Sequence, residues 1–383
     1  MRILQVVTFI SPDGAYGGPV RVAINQAKAL TALGHEVVVA AASGGFDGPL
    51  PTEFDGFPVR LFPARQLVPR IGFAGLSSPG LFNWMTQAIR GFDVIHVHLA
   101  RDLVALPAAA LALSARKPLI AQTHGMIDRS DKRLTIPLDR VLTRPILKRA
   151  SLTLFLTLRE HEELVDIGGD KLKLAHLPNG VVIPQRTAIE QNIGPQSSPE
   201  ILFLARLHRR KRALTFARTA KALETSFPRA RFALVGPDEG DGELVRETIN
   251  ERNSGGRIRW TGSISPTDTL DRMSKASLYV LPSIDEPFPM SVLEAMSLGI
   301  PVVVTESCGL AETIARNHAG IVCDHSQEAF TKAVKTLLLN PDQRISMGVN
   351  GRAAVRAEYG MSRVASQLAS FYETAVNNRR YQK

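Results

Sequence analysis

The chain has 383 residues, 44% hydrophobic and 21% charged, the balance of an ordinary globular protein and a length that suits two domains better than one core. Its net charge of +10 admits nucleic acid, anionic lipid or phosphate-bearing ligands, but no recognition-helix pattern, aromatic RNA-binding strand or zinc finger supports nucleic acid. Two cysteines, Cys308 and Cys323, make no disulfide framework, and the longest apolar segment, near 103–115, is too short to span a bilayer, so a cytoplasmic protein is expected.

Residues 3–9 read as a strand rather than a signal peptide, because the apolar run is short and leads into polar Ser11-Pro12-Asp13. The turn Gly14-Ala15-Tyr16-Gly17-Gly18-Pro19 stands just ahead of a helix expected over 20–33. Glycines there let the backbone approach a phosphate and aim N–H groups at it, though turns also hold glycine for conformational reasons. The spacing is not G-x-G-x-x-G, which disfavours a nicotinamide enzyme. Strands are expected at 36–41, 94–98, 118–123 and 152–156 with helical stretches between several of them, a rhythm that argues for a parallel sheet covered on both faces. His96 and His98 alternate within one of these strands and are read as facing opposite sides of the sheet, so that they do not share a metal. His124 follows the next strand, where an imidazole serves either a reaction centre or the structure alone.

The densest basic stretch, 129–149, contains Arg129, Lys132, Arg133, Arg140, Arg144, Lys148 and Arg149 among apolar residues. It suits an anionic membrane surface or, equally, a solvated helix face on which Asp128, Asp131 and Asp139 offset part of the charge. The rhythm stops near Asn179-Gly180-Val181-Val182-Ile183-Pro184, and polar residues 185–199 read as a linker between domains. It restarts with strands expected at 201–205, 231–235, 258–261, 278–281, 301–305 and 320–323, a second doubly wound domain over 200–360 after a first over 1–184. Two such sheets facing one another would place a ligand in the cleft between the carboxyl ends of their strands.

Arg206 and Lys211 follow the first strand of the second domain. A guanidinium fork with an ammonium stabilises an anionic leaving group such as a nucleoside diphosphate; the competing reading is a basic solvated loop, as Arg209, Arg210 and Arg212 are taken to be. Glu286 and Glu294 lie eight residues apart, the first in a strand-to-helix loop and the second in the second turn of an apolar helix whose first position suits Pro289. A charge in such surroundings needs a partner, whether a bound ligand, a neighbouring arginine or the helix end itself. Asp238-Glu239-Gly240-Asp241 has the wrong spacing for an Asp-x-Asp metal motif.

Taken together, Glu286-x-Phe288-x-x-x-x-x-Glu294, Arg206-x-x-x-x-Lys211, Gly17-Gly18, Asp93-Val94-Ile95-His96-Val97-His98 and Asn179-Gly180-Val181 resemble a retaining glycosyltransferase of family 4, in the family's order and over nearly the whole chain. The resemblance implies the α/β GT-B fold, two Rossmann-like doubly wound parallel-sheet domains facing a central cleft. It implies transfer of a hexose from a UDP- or GDP-sugar to a saccharide or lipid-linked acceptor in cell-surface polysaccharide or glycolipid synthesis. By the same resemblance Glu286 and His124 stand at the reaction centre, Phe288 and Pro289 at the donor sugar, and Glu294 on the nucleotide ribose. Arg206, Lys211, Gly17, Gly18 and the backbone N–H groups of Met290 and Ser291 hold the diphosphate, with no metal ion and no other cofactor. Residues 361–383 would cross back to the first domain as a helix and form part of the hinge. Three departures stand out: Pro289 and Arg212 where the family has glycine, and Val182 in place of an acid. Rivals with the same architecture are a sugar-nucleotide epimerase or hydrolase and a catalytically silent sugar-nucleotide-binding protein.

Overall fold

Short runs of β-branched and aliphatic residues between polar turns form the strands of two parallel sheets in the computed structural model, which describes residues 1–12, 17–69, 72–128, 135–185, 198–250 and 255–380. The chain divides into two units, Met1–Gly180 with Met361–Lys383, and Val181–Gly360.

The first unit contains β1 (Arg2–Ile10), β2 (Glu36–Ser43), β3 (Glu53–Phe54), β4 (Phe57–Pro63), β5 (Arg65–Gln66), β6 (Leu76–Ser77), β7 (Val94–His98), β8 (Leu119–Gln122), β9 (Leu152–Phe155) and β10 (Leu174–His176). Its eight-stranded sheet runs β10-β9-β8-β7-β1-β2-β4-β3, parallel except for the short β3–β4 pair, and β5 and β6 form a separate ribbon. Neighbouring residues of β1 and β7 serve opposite faces. Leu4, Val6, Ile95 and Val97 pack with Leu106 and Ala109 of the Ala105–Ser114 helix, while Ile3 and Val94 meet Val364, Leu368 and Tyr372 of the terminal Met361–Arg380 helix. Those three side chains recur every four residues, so one stripe of the terminal helix is apolar and buried in this unit. Full burial of side chains of this size stabilises by about 1.5–3 kcal/mol each.

The boundary between units falls at Gly180, not after Pro184. A Cβ on Gly180 would lie 2.9 Å from the Met361 side chain, so the terminal helix sits directly on this glycine. Val181 already belongs to the second unit, donating its N–H to Tyr359 O at 2.9 Å, and Arg352 Nη2 reaches Pro184 O at 2.6 Å. Most of the expected linker, residues 186–197, lies outside the described residues.

The second unit contains β11 (Glu200–Leu204), β12 (Arg231–Val235), β13 (Ile258–Trp260), β14 (Leu278–Leu281), β15 (Val302–Thr305) and β16 (Gly320–Cys323), ordered β13-β12-β11-β14-β15-β16 and wholly parallel. The sequence of strands reverses direction between β11 and β14. Ligands of open α/β sheets bind at this switch point, outside the carboxyl ends of the strands, and the loops that meet there carry Arg206–Lys211 and Glu286. Among the described residues no helix is long and apolar enough to cross a membrane.

Candidate active site

The loop after β14 is tied down from two sides, and the ties fix Glu286. From the β11 side, Ile284 N–H donates to Arg210 O at 2.9 Å and the Arg210 guanidinium returns a bond to Asp285 O. From the β15 side, Asp285 N–H donates to Ser307 Oγ at 3.1 Å, and Gly309 N–H donates to Glu286 O at 2.8 Å. Gly309 is obligatory there, because a Cβ would come 1.7 Å from Pro287 O. Asp285 itself takes a left-handed conformation, φ 50°, uncommon for a non-glycine residue. With the backbone so held, the Glu286 carboxylate pairs with Lys211 Nζ, both side chains largely buried. Arg210 is exposed, as a solvated charge would be, and it also clasps this loop through its backbone carbonyl and its guanidinium.

Arg206 is exposed, and its Nη1 donates to both carboxylate oxygens of Glu239, at 2.9 and 3.0 Å. The loop carrying Glu239 is shaped by Asp238, whose carboxylate accepts from Gly240 N–H and Gly242 N–H, each at 2.9 Å. Those two bonds lower its pKa. Gly236 lets the β12 loop close onto β11, since a Cβ there would lie 2.0 Å from Ala205 O. Asp238 and Glu239, set aside in the sequence for their spacing, thus organise the arginine. Arg212 stands at the N-cap of the Ala213–Leu223 helix in the left-handed region, φ 55° and ψ 45°, where the family's glycine is free of strain.

The helix after Glu286 begins at Met290, so Pro289 is its N-cap and not its first helical residue. The Pro289 carbonyl accepts from Val292 and Leu293, its ring is buried, and it has no N–H to offer. Phe288 lies partly buried with its ring 6.0 Å from that of Tyr359. Met290 and Ser291 open the helix, and their N–H groups have no carbonyl within it to meet. The Ser291 hydroxyl is engaged by Tyr279, 2.7 Å away, and the Tyr279 hydroxyl donates to Leu204 O at 3.0 Å. Burial raises the Tyr279 pKa, and the charges of Glu294 and Glu286 add to the rise, which places this phenol near both carboxylates. Glu294 is half-buried between buried Leu293 and Ala295. The site in this unit therefore joins two cations, two carboxylates and an open helix N-terminus at one sheet edge, a setting made for a bound anion.

In the first unit, Gly17 and Gly18 occupy the first turn of the Gly17–Ala32 helix instead of preceding it; Pro19 fits that turn because it needs no N–H there. Residues 13–16 lie outside the described residues. A Cβ on Gly18 would meet nothing within 4 Å, so packing does not demand this glycine. His96 and His98 share one face of the sheet, contrary to the sequence reading, because a strand repeats every two residues. Their rings lie 4.6 Å apart at 19°. His124 has φ 51°, and its loop is anchored by buried Glu160, which accepts from Thr123 Oγ1 and Gly125 N–H, both at 2.5 Å. Among the described residues no group of three or more His, Cys, Asp or Glu is placed to hold a metal ion.

Comparison with known proteins agrees with this architecture. The family described as Glycosyl transferases group 1 matches residues 185–354, and the Glycosyl transferase 4-like domain matches residues 17–180. D-inositol 3-phosphate glycosyltransferase of Kineococcus radiotolerans is 26% identical over 327 residues, covering 76% of this chain and 74% of that protein. A GDP-mannose-dependent phosphatidylinositol monomannoside mannosyltransferase of Mycobacterium tuberculosis is 25% identical over 280 residues, 69% and 71% of the two chains. Among solved structures, Anabaena HepE with UDP and glucose superposes with a TM-score of 0.71 at 20% identity, over 95% of this chain and 98% of that one. Sucrose-phosphate synthase of Thermosynechococcus elongatus gives 0.73 at 21% identity, over 97% and 98%. The fold is that of the GT-B glycosyltransferases. The chain belongs to glycosyltransferase family 4, and it is a hexosyltransferase.

Proposed function

We propose that the enzyme moves a hexose, with retention of configuration, from a UDP- or GDP-sugar to a saccharide or lipid-linked acceptor. The observation that carries this reading is the Lys211–Glu286 pair at the β11/β14 switch point, beside the open N-terminus of the Met290–Ser297 helix. As the bond from the sugar C1 to the diphosphate breaks, negative charge grows on the leaving group, and Arg206, Lys211 and the N–H groups of Met290 and Ser291 neutralise it. In the free enzyme both cations are held by carboxylates, Lys211 by Glu286 and Arg206 by Glu239. Donor binding exchanges those partners for phosphate oxygens and releases Glu286 toward the sugar. Glu294 takes the ribose hydroxyls, Phe288 and the Pro289 ring border the sugar, and Gly17, Gly18 and His124 are the contributions of the first unit. No metal ion has a part in this scheme, the two cations standing in its place. The named substrates of relatives support the donor class: one acts on GDP-mannose, and one solved structure holds UDP.

The test is transfer itself. Glu286→Ala should lower kcat by about 100-fold or more while the chain still folds, as its circular dichroism would show. Full activity in that variant would sink the site assignment. Donor consumption without an added acceptor would instead identify a hydrolase or epimerase.

We further propose that the basic stretch docks on an anionic membrane. Residues 135–149 form a helix interrupted by a π-turn at Asp139–Thr143, and their outer face exposes Ile136 and Val141 at 73% and 69% beside Arg140, Arg144, Lys148 and Arg149. The acids that would offset this charge are drawn away. Asp139 is buried in a two-pronged pair with Arg101, at 2.8 and 3.0 Å, and Asp128 binds the same guanidinium at 3.0 Å. Arg129, Asp131, Lys132 and Arg133 lie outside the described residues. Binding to anionic but not neutral vesicles, weakened by salt and by Arg140→Glu with Arg144→Glu, is the expected result; equal binding to both vesicle types refutes the proposal.

A further inference from the structure

We infer that His98 is a positioning residue, which holds His124 in the tautomer that carries its proton on Nδ1 and so makes His124 a hydrogen-bond donor. The inference rests on the proposed placing of His124 at the transferred sugar.

The first unit contains a file of four side chains, Tyr372, His96, His98 and His124. The Tyr372 hydroxyl lies 2.6 Å from His96 Nδ1, and His98 Nδ1 lies 2.7 Å from His124 Nε2. The His98 and His124 rings are 6° from parallel with centroids 5.0 Å apart. That separation is close to the N···N distance plus the two ring radii, so the rings meet edge to edge in one plane. The contact is a hydrogen bond rather than a stack.

One proton occupies that bond. Both imidazoles are neutral, because burial holds the His98 and His124 pKa values below the ordinary histidine value, so each ring carries a single N–H. If His124 Nε2 donated, the His98 proton would have to sit on Nε2. That atom is buried and has no hydrogen-bond partner among the described residues. A buried N–H without an acceptor is rarely tolerated, whereas an unshared lone pair is tolerated more readily. The proton of His98 therefore belongs on Nδ1, donated to His124 Nε2, and the proton of His124 is forced onto its own Nδ1. His124 Nδ1 has no protein partner among the described residues and is not sealed from solvent, and the left-handed turn held by Glu160 fixes the direction in which the ring leaves the backbone.

The chemical consequence is a definite role. A neutral Nδ1–H donates to a sugar hydroxyl or to growing negative charge, and it cannot accept a proton at that atom. His124 acts by polarity and orientation, not as a general base.

The ring-nitrogen spectrum of the full-length chain, labelled with nitrogen-15 and assigned by the signal lost in His124→Phe, tests this directly. The expected result at pH 7 is a His124 proton on Nδ1; a proton on Nε2 overturns the inference. Kinetics supply the second reading. His98→Asn places an amide N–H near the lost Nδ1–H and should keep the tautomer and most of kcat. His98→Leu should scramble the tautomer and lower kcat about tenfold with little change in donor KM. An unaltered His124 spectrum in His98→Leu also overturns the inference. Should the proton lie on Nδ1 while His124→Phe transfers sugar normally, the tautomer assignment stands and the placing of His124 at the sugar fails.

Discussion

With the diphosphate placed on Arg206 as proposed, Glu239 competes with the donor for that guanidinium. Its two carboxylate oxygens share one nitrogen of the guanidinium, Nη1, and the pair is exposed; such pairs contribute at most about 1 kcal/mol. Glu239→Gln should therefore lower donor KM by no more than about fivefold and leave kcat unchanged. Initial rates across a donor series measure this, and a raised KM would mean that Glu239 helps to hold the donor. The residue scale also shows what sequence can reveal. Glu286, Lys211 and Arg206 declare themselves because charges at strand ends or in apolar surroundings need explaining. Glu239, Tyr279 and Gly309 carry no such sign, since their partners lie 33, 75 and 23 residues away and only the parallel sheet brings them together.

Two elements store the consequences of unusual choices. Arg212 holds a left-handed N-cap that costs a non-glycine residue about 1–2 kcal/mol, so Arg212→Gly should stabilise the second unit by up to about 1 kcal/mol once the greater freedom of glycine in the unfolded chain is set against it. Chemical denaturation measures it, and a loss of stability would mean that the Arg212 side chain makes a compensating contact. In the other unit Asp139, the first residue of the π-turn, is buried against Arg101, and its loss would leave that guanidinium with the more exposed Asp128; removing one member of a buried pair costs up to about 3–5 kcal/mol. Asp139→Asn should accordingly destabilise the first unit strongly, and lost vesicle binding should accompany it if the basic face is presented by this turn. The interrupted helix was legible only as a basic amphipathic stretch, since no local residue pattern announces the wide turn, and Arg101, which pairs with its first residue, lies some forty residues earlier in the chain. Elements with strong local signals fared better. β7, β12, β14 and β16 stand where their apolar runs placed them, whereas β3, β5 and β6 have two residues each and β4 is flanked by proline, too little pattern to read.

For the whole molecule, the buried imidazoles couple folding to pH. His96 is sealed in the core between Tyr372 and His98, and burial pushes its pKa down to about 3, the nearby His124 adding to the effect. Above pH 6.5, the ordinary histidine value, folded and unfolded chains both keep this imidazole neutral, and it contributes no pH dependence. Between about 6.5 and about 3 the unfolded chain binds a proton that the folded chain refuses, so stability falls as the pH falls; below about 3 both forms are protonated and the dependence ends. Asp102 acts in the opposite sense. Burial raises its carboxyl to about 6 although Thr8 Oγ1, Val104 N–H and Ala105 N–H bond to it, so its protonated form favours the folded state as the pH falls toward 4. The three histidines outnumber this single acid, and the net effect of acid is a loss of stability in the first unit. On the proposed site the nucleotide acts on the second unit, where UDP or GDP at a hundred times its Kd should add about 2.7 kcal/mol. Calorimetry at pH 7 and pH 5 with and without nucleotide separates the two effects: acid should lower the transition of the first unit, nucleotide should raise that of the second, and His96→Gln should flatten the acid response. An acid response unchanged in His96→Gln would remove His96 as a source of the acid sensitivity.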